Sequence, residues 1–210
     1  QLAAWTTVVM LPVGFVLARL LAWGNFRGRL LLEAAVTLPL VLPPTVLGYY
    51  LLVFMSPQSV AGGWFESLFG YALTFSFPGL VLASMLFNLP FAVQPMQQAF
   101  AAIPTEVREA AWVSGLSNWR TIAIVELPLA WPGILGSAVL TFAHTLGEFG
   151  VVLMVGGNIP GETRTVAIAI YDHVQAFEMD AAAVLSGVLL VFALGAIMAV
   201  RALSGRGVRA

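Results

Sequence analysis

Apolar residues run along this chain in long blocks, and polar residues are confined to the gaps between them. Five blocks qualify as membrane spans: Leu2–Trp23, Leu30–Phe54, Phe77–Phe100, Trp131–Val155 and Ala181–Val200. A helix needs about 20 mostly apolar residues to cross the hydrocarbon layer. Backbone N–H and C=O groups cannot go unpaired against lipid, so each block predicts one helix. Prolines at Pro12, Pro39, Pro43, Pro44, Pro90 and Pro95 predict kinks or breaks inside them. The expected fold is an all-α polytopic membrane protein, with residues 1–210 forming one transmembrane domain of five spans.

The gaps carry an uneven charge. Arg27 and Arg29 fall between the first two blocks, Arg108 and Arg120 between the third and fourth, and Arg201, Arg206 and Arg209 after the fifth. Arg19, near the end of the first block, belongs to the same side. On the opposite side Arg164 stands alone beside Glu66, Glu162, Asp172, Glu178 and Asp180. The excess of Arg marks the cytoplasmic side, which predicts an external N-terminus and an internal C-terminus. Trp64, Phe65, Phe69 and Tyr71 cluster in an outer gap, as interface-anchored aromatics do.

Composition narrows the class further. Only 9% of residues are charged and 60% are hydrophobic, whereas globular domains carry about 25% charged residues. Lipid is therefore the expected solvent. The chain has no cysteine, which excludes disulfides, thiolate metal sites and cysteine nucleophiles. All nine basic residues are Arg. A nucleotide-binding P-loop needs its Lys on the β/γ-phosphates, so an ordinary P-loop ATPase is excluded from this sequence. Gln1 in place of Met leads us to expect further residues upstream, and the short tail after the fifth block to expect no appended regulatory domain.

One gap is too long and too regular for a plain connector. Residues 104–128, which include "EAAWVSGLSNWRTIAIVELP", read as helix, turn, helix. Pro104 and Thr105 suit a helix start, Gly115 can take the left-handed conformation that closes one, and Ser117 can cap a second, which Pro128 would stop. Small Ala110 and Ala111 would admit another backbone. The plainer alternative is a solvated loop with two helical turns.

The order Glu109-Ala110-Ala111, three residues, Gly115, nine residues, Val125, one residue, Leu127-Pro128 resembles the EAA motif of binding-protein-dependent ABC importer permeases, with Val125 where Ile is commoner. The resemblance implies a type I importer permease fold in which this hairpin is a coupling helix, docked in a groove of a separate ATPase subunit. It makes Glu109 and Arg120 candidate contacts to that subunit and Gly115 the tight turn. "LPLVLPPTVLGYYLL" (Leu38–Leu52), "TLGEFG" (Thr145–Gly150) and "GNIPGETRT" (Gly157–Thr165) together resemble the molybdate permease branch, with sulfate and thiosulfate permeases the nearest alternative. The resemblance further implies a homodimer in the cytoplasmic (inner) membrane of a bacterium or archaeon, two cytoplasmic ATPase subunits and an external oxyanion-binding protein. ATP and Mg belong to the ATPase; no cofactor, metal or nucleic-acid partner is expected for this chain, and it performs no covalent chemistry.

A dianion at membrane depth needs donors. Broken helices provide them as exposed N–H groups and dipole ends, and Pro43, Pro44 and Thr45 mark the best place for such a break, with a packing kink the alternative. Ser84 and Asn88 offer further donors unless they serve helix–helix hydrogen bonds. His144 and Glu148 are ionisable and lie within the fourth block. Four residues apart, they should share a helix face. A carboxylate repels an oxyanion, so Glu148 is expected to hold His144 or a neighbouring chain and shape a gate with Thr145 and Gly147. Related permeases often carry Arg at the position of His144, and a His need not be charged. An ion-gradient transporter using His144 and Glu148 as a proton relay is an alternative. A hydrolase triad is disfavoured, since Thr145 points about 100° away from His144 on a helix. In the outer loop, Asn158, Gly161, Glu162 and Arg164 are candidates for receiving the binding protein, Arg164 by pairing a carboxylate on it; a solvated connection is the alternative reading.

Overall fold

The computed structural model describes residues 1–206, and the side-chain surroundings of residues 1–198. Arg209 lies outside the described residues, as do the side chains of Arg201 and Arg206. Every regular element among the described residues is helical: α1 (Leu2–Trp23), α2 (Arg29–Val41), α3 (Pro44–Met55), α4 (Val60–Phe69), α5 (Phe77–Phe87), α6 (Leu89–Ala101), α7 (Thr105–Val113), α8 (Asn118–Thr121), a π-helical turn (Ile122–Glu126), α9 (Leu127–Leu146), α10 (Gly150–Gly156), α11 (Val166–Gln175) and α12 (Met179–Arg206).

The first block matches α1 to the residue, with Pro12 inside it. The expectation of one helix per block fails for the next three. The second turns through 117° between α2 and α3, a fold-back rather than a kink. Two successive prolines cause it, because a residue that precedes proline is driven out of the helical region. Leu42 and Pro43 both obey, with ψ of 136°. The third block bends by 46° between α5 and α6. There Asn88, fully buried, bonds its backbone N–H and its side-chain Nδ2 to the Ser84 carbonyl, at 2.9 and 2.8 Å. The side-chain bond is a second one on a carbonyl that the helix already uses, and it anchors the Asn88 carboxamide at the break.

The fourth block differs most. Its helix starts at Asn118 and continues for 29 residues to Leu146, so the second arm of the predicted hairpin and the span are one element. Pro128 does not stop it. A proline clashes with the carbonyl four residues back when the turn is α-helical. In the wider π turn the Leu127 N–H bonds the Ile122 carbonyl, five residues back, so Pro128 enters the helix at its first turn. The helix then breaks at Gly147, and a short α10 follows instead of a continuous span to Val155.

Two packed regions hold the spans. At one end α1, α6 and α9 bury Ala18, Leu21, Val93, Met96, Phe100 and Ala130. Phe15 and Trp23 flank the Phe100 ring at 5.1 and 5.3 Å. A Cβ on Gly133 would lie 2.3 Å from Ala99 Cβ and 2.7 Å from the Pro95 carbonyl, so glycine alone allows α9 to lie this close to α6. At the other end α3, α5 and α10 bury Leu51, Met55, Ala83, Phe87, Val151 and Val155. Much of α12 remains uncovered, with Val184, Val188 and Val191 exposed.

Candidate functional site

The breaks converge on one polar cluster. Asn88, at the α5–α6 joint, donates from Nδ2 to Glu148 Oε2 at 3.3 Å. Since Nδ2 faces two acceptors, Oδ1 faces the His144 ring at 3.0 Å. A carboxamide oxygen only accepts, so His144 Nδ1 carries the proton of that bond, leaving Nε2 as the uncommitted nitrogen. Phe91 stacks on the imidazole with centroids 4.0 Å apart, and Phe87 sits at 5.1 Å. Glu148 therefore reaches His144 through Asn88 rather than directly. The expected i, i+4 pairing fails because α9 ends at Leu146, between the two residues.

Pro44, Thr45, Phe87, His144, Gly147 and Glu148 border a cavity of about 590 Å³ at this cluster. The N-terminus of α3 opens onto it, with Thr45 exposed. A Cβ on Gly150 would stand 2.9 Å from Pro44 Cβ, so the end of the GEFG stretch lies directly against that helix start. Ser84 Oγ and Glu148 Oε1 are buried with no hydrogen-bond partner among the described residues. Pro43 is the residue before α3 and does not border the cavity. Thr145 departs from the expectation too. It is buried, donates to the Thr141 carbonyl at 2.7 Å, and borders a different cavity beside Leu2, Phe77 and Arg164.

The hairpin forms as read, up to its second arm. Gly115 takes φ +84°. Its N–H bonds the Trp112 carbonyl at 2.9 Å and the Leu116 N–H bonds the Ala111 carbonyl at 3.1 Å. This pair of bonds is the Schellman closure of α7, and a left-handed residue at its centre favours glycine. Ser117 stands at the start of α8 but its side chain makes no capping bond. Glu109, Ala110, Gly115, Arg120 and Pro128 are exposed and Leu127 is half-buried. Ala111 is buried within the chain, so it cannot admit another backbone as its small size suggested.

Sequence reading missed Glu126. Its carboxylate is wholly buried and receives Arg19 Nε at 2.7 Å, Arg19 Nη2 at 3.2 Å and Arg108 Nε at 3.1 Å. The Arg108 guanidinium lies 3.7 Å from the centroid of the Trp23 ring and 5.0 Å from that of Trp112. The available signal was a lone carboxylate in "IAIVELPLAW", together with an arginine inside the first apolar block. Charges in such surroundings need partners.

In the loop between α10 and α11 and the helix that follows, Arg164 is engaged within the chain, bonding Asp172 at 2.8 Å, and Asn158 bonds the same oxygen at 2.7 Å. The expected free arginine is thus already paired, while Gly161 and Glu162 stay exposed. Thr163 pins the loop from inside, donating to the Gly156 carbonyl at 2.6 Å and accepting from the Ile159 N–H at 3.1 Å.

Comparison with known proteins adds to this geometry. Residues 10–204 match the family described as "Binding-protein-dependent transport system inner membrane component". The chain is 50% identical over 192 residues to the molybdenum transport system permease protein of Azotobacter vinelandii, covering 91% of this chain and 85% of that protein. It is 38% identical over 175 residues to the Escherichia coli K12 protein of the same description, covering 83% and 76%. A probable sulfate transport system permease protein of Chlorella vulgaris is 32% identical over 202 residues, covering 96% and 76%. The fold matches that in the crystal structure of a bacterial alginate ABC transporter in complex with a periplasmic protein bound to an alginate pentasaccharide. The TM-score is 0.79 at 20% identity, covering 98% of this chain and 75% of that one.

Proposed function

Because this chain belongs to the inner membrane components of binding-protein-dependent transport systems, we propose that it is the permease of an ATP-driven molybdate importer, with tungstate a companion substrate. The observation that carries the substrate is the ordering of relatives: molybdenum permeases stand above the sulfate permease in identity. Residues 1–210 act as one transmembrane domain. A second copy, two cytoplasmic ATPase subunits and an external oxyanion-binding protein complete the assembly. ATP and Mg sit on the ATPase subunits, consistent with a chain that has no Lys for a P-loop.

The hairpin end is cytoplasmic, with the N-terminus outside and the C-terminus inside. Arg19, Arg27, Arg29, Arg108 and Arg120 support this through the positive-inside rule. Glu109, Ala110, Gly115, Arg120, Leu127 and Pro128 present the hairpin to the ATPase. Exposed Gly161 and Glu162 meet the binding protein, on a loop that Asn158 and Arg164 stiffen through Asp172.

The cavity at His144 lies on the translocation path. Pro44 has no N–H and the Val46 and Leu47 N–H groups bond the Pro43 carbonyl at 2.9 and 3.2 Å, so Thr45 is the residue of the first turn of α3 that offers donors to an oxyanion, at the positive end of the helix dipole. Glu148 repels that anion; it holds Asn88, and Asn88 holds His144. Exposed Thr45 and Gly147 at membrane depth would otherwise meet lipid, which favours a second copy closing this face. ATP binding draws the ATPase subunits together, the hairpins move, and the outward-open cavity turns inward.

Competition on the cognate external binding protein tests the substrate. Molybdate is expected to displace sulfate at equal concentration. A binding protein that prefers sulfate would assign the chain to sulfate import instead.

A further inference from the structure

The hairpin is joined covalently to two spans: to α6 through residues 102–104, and to α9 as one continuous helix. It is not adjacent in sequence to α1, which packs on α6 and α9 and whose Arg19 is 107 positions from Glu126. Yet three side chains fasten the inner end of α1 to the hairpin. Glu126 lies at the end of the π turn, where the hairpin's second arm becomes α9. Arg19 reaches it from α1 and Arg108 from α7, and the Arg108 guanidinium also covers Trp23, the last residue of α1.

A clasp of this kind is a poor stabiliser, since burying the charges costs much of what their attraction returns. It is directional, however. Two guanidinium groups on one carboxylate fix the relative placement of three elements in a way that apolar packing does not. The π turn contributes as well. Its extra residue per turn rotates the helix after it by about 100° relative to the helix before it. Such turns are frequent at functional sites.

We propose that Glu126 is the positioning residue through which movement of the hairpin is delivered to the inner end of α1, so that α1, α7 and the start of α9 move as one body. This rests on the ATP-driven permease reading. It adds to that reading which span takes up the stroke without adjoining the hairpin in sequence.

Because this chain has no cysteine, spin labels can be attached to it at introduced cysteines without background from its own residues. One pair joins the exposed hairpin position Val113 to the exposed α1 position Val16. A second pair joins Val113 to its counterpart in the second copy. In the wild type, trapping ATP is expected to change the second distance and leave the first unaltered. In Glu126→Gln the first distance should broaden or shift with ATP, and molybdate carried per ATP should fall by about tenfold, the scale of a coupling between sites. Glu126→Asp should recover part of that ratio. If Glu126→Gln does not assemble, Arg19→Gln, which removes the bond from α1 to the carboxylate but leaves Arg108 on it, should give the same two changes. A Val113–Val16 distance that shifts with ATP in the wild type overturns the proposal. So does a transport-to-ATP ratio in the variants within about twofold of wild type. If instead the Val113–Val113 distance ignores ATP, the ATP-driven permease reading itself has failed.

Discussion

Replacing Asn88 with leucine is expected to lower molybdate uptake by at least about tenfold, because it strands two ionisable side chains at once. Leucine repeats the branched outline of asparagine without a polar atom, so the fully buried site loses its polar bonds and must also take up the bulk of two methyl groups. Three bonds disappear: to the Ser84 carbonyl, to Glu148 and to the His144 ring. Each buried polar group left unpaired costs about 1–3 kcal/mol, and about 1.4 kcal/mol already equals a factor of ten. The ring of His144 would keep its stacking on Phe91 and lose its orientation. Glu148→Gln should be milder, because the amide oxygen still accepts from Asn88 Nδ2. Uptake into proteoliposomes holding the full transporter measures both variants. An Asn88→Leu protein that transports like wild type would remove the cluster from the path, and an indistinguishable Glu148→Gln would remove Glu148 alone.

Substitution of Gly115 should separate ATP hydrolysis from transport, and the pattern across substitutions identifies the cause. A Cβ at Gly115 meets nothing within 4 Å in the chain, so crowding inside the subunit is not the issue. The penalty comes from φ +84°. An ordinary L-residue in that conformation costs roughly 1–2 kcal/mol, a β-branched one more, and asparagine least. Gly115→Val is thus expected to abolish most transport while ATP hydrolysis persists, with Gly115→Ala intermediate and Gly115→Asn mildest. Parallel assays of ATP hydrolysis and uptake read the series. If the loss instead follows side-chain volume, so that asparagine is worse than alanine, Gly115 acts by contact with its docking partner and not by closing the helix.

The sequence was most legible where local chemistry decides the structure. The bounds of α1 follow from an unbroken apolar run between polar residues. The closure of α7 follows from one glycine at the right distance from Thr105. It was least legible where a local rule has two outcomes. Proline left the helix uninterrupted at Pro12, gave a fold-back at Pro43–Pro44, and at Pro128 no stop at all, because a π turn displaced the clashing carbonyl. Nothing in the residue order announces that turn. The pairing of His144 with Glu148 failed for a related reason: the helical spacing was sound, but the helix ended between them. The partners of Glu126 lie 18 and 107 positions away, beyond the reach of any periodicity. Only the oddity of charges among apolar residues hinted that partners existed.

Energy coupling is tested most directly by uptake of radiolabelled molybdate into proteoliposomes holding this chain with its ATPase, supplied with the loaded binding protein outside and ATP within. Uptake should stop when either ATP or the binding protein is withheld, and a protonophore should leave it intact. Uptake that continues without ATP and collapses when the proton gradient is discharged would show that this chain is not the permease of an ATP-driven importer.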